Sequence, residues 1–169
     1  MKLIKRIGSV VLVGVMILSL SACSGGKKAK RVSSEEYIKY FESVDGYSAT
    51  DMTEFVTGDN VKEMVLAGTQ NDRVMFSYYT FTDAKAASDY FDDGYNQMSG
   101  VKDMPGYDGK ITKSSDKFTI NATYTEDGKS DSLYIVCVKA DDMVISALAE
   151  SNDENTVKEV DRIINDLCY

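Results

Sequence analysis

The chain of 169 residues contains no histidine and no tryptophan, a single proline and three cysteines. Without histidine it cannot form a Ser-His-Asp triad, a Cys-His dyad or any histidine-ligated metal site. The cysteines, Cys23, Cys137 and Cys168, are too few for a zinc site built from cysteine alone. Glycine motifs of the kind that hold phosphate groups are also absent from the sequence. We therefore expect no metal and no cofactor, and most common enzyme mechanisms are excluded.

Positive charge is scarce as well. The formal net charge is −8, and removal of the first 22 residues takes away Lys2, Lys5 and Arg6 and leaves −11. Nucleic-acid surfaces need clustered positive charge, so no nucleic-acid partner is expected. The hydrophobic fraction of 43% is close to the globular average and predicts one domain with a packed core.

The amino terminus has the three parts of a secretory signal. Three positive charges precede a 14-residue apolar run, residues 7–20, which leads through two small residues to Cys23. A membrane-spanning helix needs about 20 apolar residues, so this run is short for a span and of normal length for a signal. The alternative is an uncleaved anchor helix in which the cysteine is incidental.

The end of the run, Leu20-Ser21-Ala22-Cys23, resembles the lipobox of bacterial lipoproteins. This resemblance implies that residues 1–22 are removed and that Cys23 becomes the first residue, bearing at least two acyl chains. Two chains are enough for stable anchoring where one is not. The expected location is the cell membrane, facing the extracytoplasmic side, with membrane lipid as the partner of Cys23.

Residues 23–34 are small or positively charged and predict a lipidated, flexible tether. Its lysines either contact anionic headgroups or only keep the tether solvated. A single folded domain is expected over residues 35–169.

Hydrophobic periodicity within this domain predicts the order α-β-β-α-β-β-β-β-α, an α+β fold in which three helices pack on a mainly antiparallel sheet of about six strands. Residues 47–64 are assigned little regular structure, and a break in the middle helix is allowed at Gly94. A capping box, Ser151 to Glu154, is predicted to begin the last helix. The strand order and the closing hairpin followed by a helix are similar to the Mog1/PsbP-like domains of several bacterial lipoproteins.

Two sets of residues are candidate sites. A rough construction of the last strands and the last helix brings Cys168 to the level of Cys137, so the two form either a disulfide or two separate buried thiols. The 11 tyrosines are the other candidate, because tyrosine suits surfaces that are both apolar and wet. The candidate binding surface comprises Tyr78, Tyr79, Tyr95 and Tyr107, and the alternative is that these are core side chains with their hydroxyls at the rim.

The function expected from these features is a non-enzymatic binding or interaction domain with an unidentified protein or small-molecule partner. No catalytic residue is predicted. The alternative is a carboxylate-based hydrolase acting on cell-envelope glycans, which needs an Asp/Glu pair in a cleft. The acidic clusters of the sequence lack the alternating ligand spacing of a calcium-binding loop.

Overall fold

The computed structural model describes residues 28–69 and 73–169. The predicted signal segment and Cys23 lie outside these residues. The regular elements follow in the order α1 (Ser34–Ser43), β1 (Tyr47–Asp51), β2 (Val61–Thr69), β3 (Val74–Phe81), α2 (Ala84–Met98), β4 (Asp108–Lys113), β5 (Lys117–Glu126), β6 (Lys129–Ala140), β7 (Met143–Ala149) and α3 (Glu154–Cys168). Short 3-10 turns occupy Thr53–Phe55 and Ser99–Asp103. None of the helices in the described ranges is long and apolar enough to cross a membrane.

The strands form one antiparallel sheet in the order β1-β2-β3-β7-β6-β5-β4. The predicted α+β class with three helices on an antiparallel sheet is confirmed, but within the described residues the sheet has seven strands rather than about six. The additional strand is β1, in the segment expected to be irregular. Its sequence, YSATD, is short and mostly polar, and it becomes a strand because the edge of β2 offers hydrogen-bonding partners from Tyr47↔Thr69 to Asp51↔Val65.

Helices cover both faces of the sheet, because successive side chains of a strand point to opposite sides. The face covered by α1 and α3 is the two-helix face, and the face covered by α2 is the one-helix face. The two-helix face has a core that includes Tyr37, Phe41, Phe76, Tyr78, Met143, Ile145, Val160, Ile163 and Ile164. The core of the one-helix face includes Phe81, Ala87, Phe91, Phe118, Ile120, Ala122 and Val144.

Side-chain caps set where the helices begin. Ser33 and Glu36 form a reciprocal capping box at α1. The prediction at α3 was wrong by two residues, since Asp153 is the N-cap and not Ser151. The Ser151 hydroxyl donates to the Asp153 carboxylate, which also accepts the first backbone N–H groups of the helix. These hydrogen bonds hold the pKa of Asp153 well below its usual range.

The segment before α1, residues 28–33, is the lead-in segment, and it packs against the domain. The Lys30 N–H donates to the carbonyl of Cys168 at 2.8 Å, and the Arg31 guanidinium lies 2.5 Å from the Asp142 carboxylate. Val32 is buried, and its carbonyl accepts a hydrogen bond from the Tyr78 hydroxyl at 3.1 Å. The chain therefore joins the domain by Lys30, whereas the sequence pattern predicts a flexible tether through residue 34.

The Tyr37 hydroxyl is buried without a hydrogen-bond partner among the described residues, and burial raises its pKa well above the usual value. Replacement of Tyr37 by Phe should raise the free energy of unfolding by about 1 kcal/mol, because an unsatisfied polar atom leaves the core. Tyr78→Phe, the matched control, should lower it by about 1 kcal/mol, because the bond to the Val32 carbonyl is lost. Urea unfolding of the mature protein measures both changes. Equal losses of stability in the two variants would contradict the assignment.

Candidate functional site

A cleft of about 400 Å³ lies between the C-terminal half of α2 and the one-helix face of the sheet. Its volume is within the range of pockets that receive small organic ligands, about 300–1,000 Å³. Thirteen residues line this α2 cleft. The helix contributes Tyr90, Asp93, Gly94, Gln97 and Met98, and the strands contribute Met75, Ser77, Phe118, Ile135, Cys137, Ser146, Ala147 and Leu148.

The register of the central strands brings the floor of the cleft together. Met75 of β3 lies opposite Leu148 of β7, which lies opposite Ile135 of β6. The next row toward the middle of the sheet consists of Ser77, Ser146 and Cys137. Because directly opposed residues in antiparallel strands point to the same face, the two rows form one surface beneath α2.

Exposed apolar side chains are concentrated at this cleft. The described part of the chain has five large hydrophobic side chains that are exposed, and four of them line the cleft: Met75, Tyr90, Met98 and Leu148. A local collection of this kind typically marks a ligand or partner site, whereas single exposed apolar residues do not. The two methionines are flexible and polarizable, so they adapt to ligands of different shape.

Gly94 keeps space open beside the helix backbone. A Cβ atom built on Gly94 would meet no other atom within 4 Å, so close packing does not require glycine at this position. Glycine inside a helix destabilises it by about 1 kcal/mol relative to alanine. The helix nevertheless continues unbroken to Met98, so the break considered at Gly94 does not occur. The small residue enlarges the cleft at the expense of local stability.

Only one of the residues lining the cleft in the described chain, Asp93, is charged. It has no ion-pair partner there, whereas Asp89 pairs with Lys85 at 2.5 Å and Asp92 pairs with Lys113 at 2.7 Å. The Lys113 ammonium also holds the pKa of Asp92 below its usual value. The cleft therefore combines a largely apolar floor with a single exposed negative charge that has no ion-pair partner among the described residues.

Both described cysteines are free thiols, and they belong to different cores. Cys137 is part of the core of the one-helix face, and Cys168 is part of the core of the two-helix face. Burial raises the pKa of each thiol to about 12. The cysteines thus have the arrangement of two separate buried thiols, and Cys137 contributes a neutral, weakly polar group to the cleft.

The four tyrosines singled out in the sequence do not share one surface. Tyr78 is fully buried on the two-helix face, whereas Tyr79, Tyr95 and Tyr107 are half-buried at the core of the one-helix face. None of the four lines the cleft, and the tyrosine that does is Tyr90, whose ring lies 5.1 Å from that of Tyr79. Helical spacing places Tyr90 beside the buried stripe of α2, but it cannot show that the sheet leaves space there.

Other tyrosines hold α3 against the domain. Their hydroxyls donate hydrogen bonds to carboxylates on that helix: Tyr40 to Asp166 at 2.9 Å, Tyr47 to Glu159 at 3.0 Å and Tyr134 to Asp161 at 2.8 Å. Burial and these carboxylates raise the pKa of each of the three tyrosines. Part of the high tyrosine content therefore serves the attachment of α3.

Carboxylates do not converge in the cleft, since Asp93 is the sole acidic residue of its described lining.

A second, polar hollow of about 240 Å³ includes Lys28, Asp116, Lys139 and Asp141 near the β4–β5 and β6–β7 turns. The described chain holds no group of three or more acidic or cysteine side chains suited to a metal ion.

A thiol titration tests the state of the cysteines. Unfolded, unreduced mature protein with Cys23 acylated should give two free thiols, from Cys137 and Cys168. The folded protein should react far more slowly, because burial raises the pKa of both groups to about 12 and the reactive thiolate is scarce at neutral pH. A count near zero after unfolding without reductant would show that the two form a disulfide.

Comparison with known proteins does not assign the chain to a family. No protein-family model matches it, and no curated protein matches it with significant similarity. A functional inference for this protein therefore depends on the α2 cleft, on the charges around it and on the residues that precede the domain.

Proposed function

We propose that this protein is a lipid-anchored, non-enzymatic binding domain on the extracytoplasmic side of a bacterial cell membrane, and that the α2 cleft receives an apolar ligand. The observation that carries the binding role is the concentration of exposed Met75, Tyr90, Met98 and Leu148 around one cleft. The anchoring role depends on the lipobox-like sequence ending at Cys23. Helices on both faces of an antiparallel sheet are compatible with a Mog1/PsbP-like domain.

The point at which the chain joins the domain supports an anchor close to the domain, with the cleft at the end of the sheet opposite the lead-in segment. Lys30 is seven residues after Cys23, so an acylated Cys23 lies within about 25 Å of it even in a fully extended chain. The lead-in segment lies beside the β6–β7 turn, through the contact between Arg31 and Asp142. Leu148 is five residues further along β7 than Met143, or about 17 Å. The cleft is therefore closer to the end of the sheet that is remote from the lead-in segment.

The lining of the cleft favours binding over hydrolysis. Glycan-cleaving enzymes of the usual kind place two carboxylates about 5–10 Å apart. The described lining offers Asp93 alone, together with a thiol that is neutral at physiological pH. Its other polar groups are uncharged amides and hydroxyls, which suit recognition of a ligand.

Mass spectrometry of the mature protein tests the anchor. The expected amino terminus is Cys23 carrying a diacylglyceryl group, and Cys23→Ala should abolish both the acylation and the cleavage before residue 23. Ser24→Ala is the matched control and should leave both intact. An unmodified amino terminus, or one at another residue, would overturn the proposal.

Substitutions at Gly94 test the cleft. Gly94→Leu should obstruct the cleft and strongly weaken binding of a small apolar probe, benzyl alcohol, without loss of stability, because the added side chain enters open space. Gly94→Ala should raise the free energy of unfolding by about 1 kcal/mol and leave most of the binding intact. The measurement is the change in the methyl NMR signals of Met75 and Met98. Equal binding by wild type and Gly94→Leu would contradict the assignment of the site.

A further inference from the structure

We propose that the α2 cleft selects a small amphiphilic amine, in which an apolar group enters the cleft and a protonated nitrogen lies against Asp93. This inference rests on the proposed binding function and specifies its ligand class. The juxtaposition that carries it is a carboxylate without an ion-pair partner among the described residues, an open glycine position and two exposed methionines within one concave site.

The charge of the site has one sign. None of the thirteen residues that line it in the described chain is lysine or arginine, and the carboxylate of Asp93 has no ion-pair partner among the described residues. Its neighbours on the same helix, Asp89 and Asp92, are each paired with a lysine. An anionic ligand would meet this unpaired negative charge and no compensating cation. A cationic ligand supplies the missing partner, and the net charge of −11 after residue 22 favours it further.

Helical geometry places the polar groups together. Tyr90, Asp93 and Gln97 are spaced by three and four residues, so they lie on one side of α2, with Gly94 between the last two. The carboxylate of Asp93 and the amide oxygen of Gln97 are hydrogen-bond acceptors, as an ammonium group with its N–H donors requires. Gly94 lets the ligand approach the helix backbone between them.

The size of the site favours a small molecule over a protein. A standard protein interface uses about 20–30 residues on each side, whereas thirteen line this cleft. The exposed apolar side chains lie around a concavity of about 400 Å³ and not on a broad flat surface. The matching occupant is therefore a single compact apolar group that carries an amine.

Three probes of equal size and different charge test the inference: benzylamine, benzyl alcohol and benzoate. The protein is the mature lipoprotein in nanodiscs of zwitterionic phosphatidylcholine, with labelled methionine methyl groups. Met75 and Met98 report on the cleft, and Met143, fully buried on the two-helix face, reports on the integrity of the fold. Benzylamine should bind about threefold more tightly than benzyl alcohol, the size expected for one partly exposed ion pair, and benzoate should bind most weakly.

Matched variants assign the preference to one carboxylate. Asp93→Asn should reduce benzylamine affinity about threefold and abolish the preference for benzylamine over benzyl alcohol. Asp89→Asn removes the same charge one turn earlier on α2, outside the cleft lining, and should preserve the preference. The Met143 signal should be unchanged in both variants.

The outcomes separate this inference from the function on which it rests. Equal affinities for the three probes, or equal losses in the Asp89 and Asp93 variants, would overturn the amine preference while the apolar binding site stands. Absence of any probe-induced change at Met75 and Met98 would overturn both the binding site and the amine preference.

Discussion

Seven residues of β3 pair with seven of β7, and this pairing joins the meander β1-β2-β3 to the meander β4-β5-β6-β7. Its register, from Val74↔Ala149 to Thr80↔Met143, determines which side chains reach each face. A slip of one residue would exchange the faces, because side chains alternate along a strand. Met75 would then enter the core of the two-helix face and Tyr78 would leave it. The same register thus determines both which side chains fill the core of the two-helix face and which side chains form the floor of the cleft.

The helices cover the two faces of this sheet unequally. α1 and α3 cover one face together, and the lead-in segment contributes buried Val32 to the same core. In the described chain, α2 is the one α-helix on the other face, with the short 3-10 turn at Ser99–Asp103 beside it, so part of the apolar surface there remains uncovered. Burial of apolar surface stabilises the folded state by about 25 cal/mol for each Å², and surface that stays in contact with water does not provide this stabilisation. Retention of such surface around one concavity is characteristic of a binding site.

Local patterns predicted much of this fold. The alternation over residues 117–124 predicts that Phe118, Ile120, Ala122 and Tyr124 face inward; the first three are buried and Tyr124 is half-buried. The pattern did not predict β1, because this short edge strand is mostly polar and depends on backbone pairing with β2, with only Tyr47 and Ala49 partly buried against the core. The packing of the lead-in segment was not predicted either, because its lysines and small residues suggest a solvated tether. Buried Val32, the Arg31–Asp142 ion pair and hydrogen bonds to the backbone of Lys30 and Val32 attach it to the domain.

Neighbouring residues and composition are enough to specify the three helices, six of the seven strands in the described chain, the absence of histidine chemistry, the acidic charge and the resemblance of the first 23 residues to a lipoprotein signal. The tertiary structure alone decided that Cys137 and Cys168 lie in separate cores and that Met75, Met98 and Leu148 meet at one cleft. These residues are far apart in the chain, and they meet through strand register and helix placement. Both depend on the free energy of burying the whole core, which no local period of the sequence encodes.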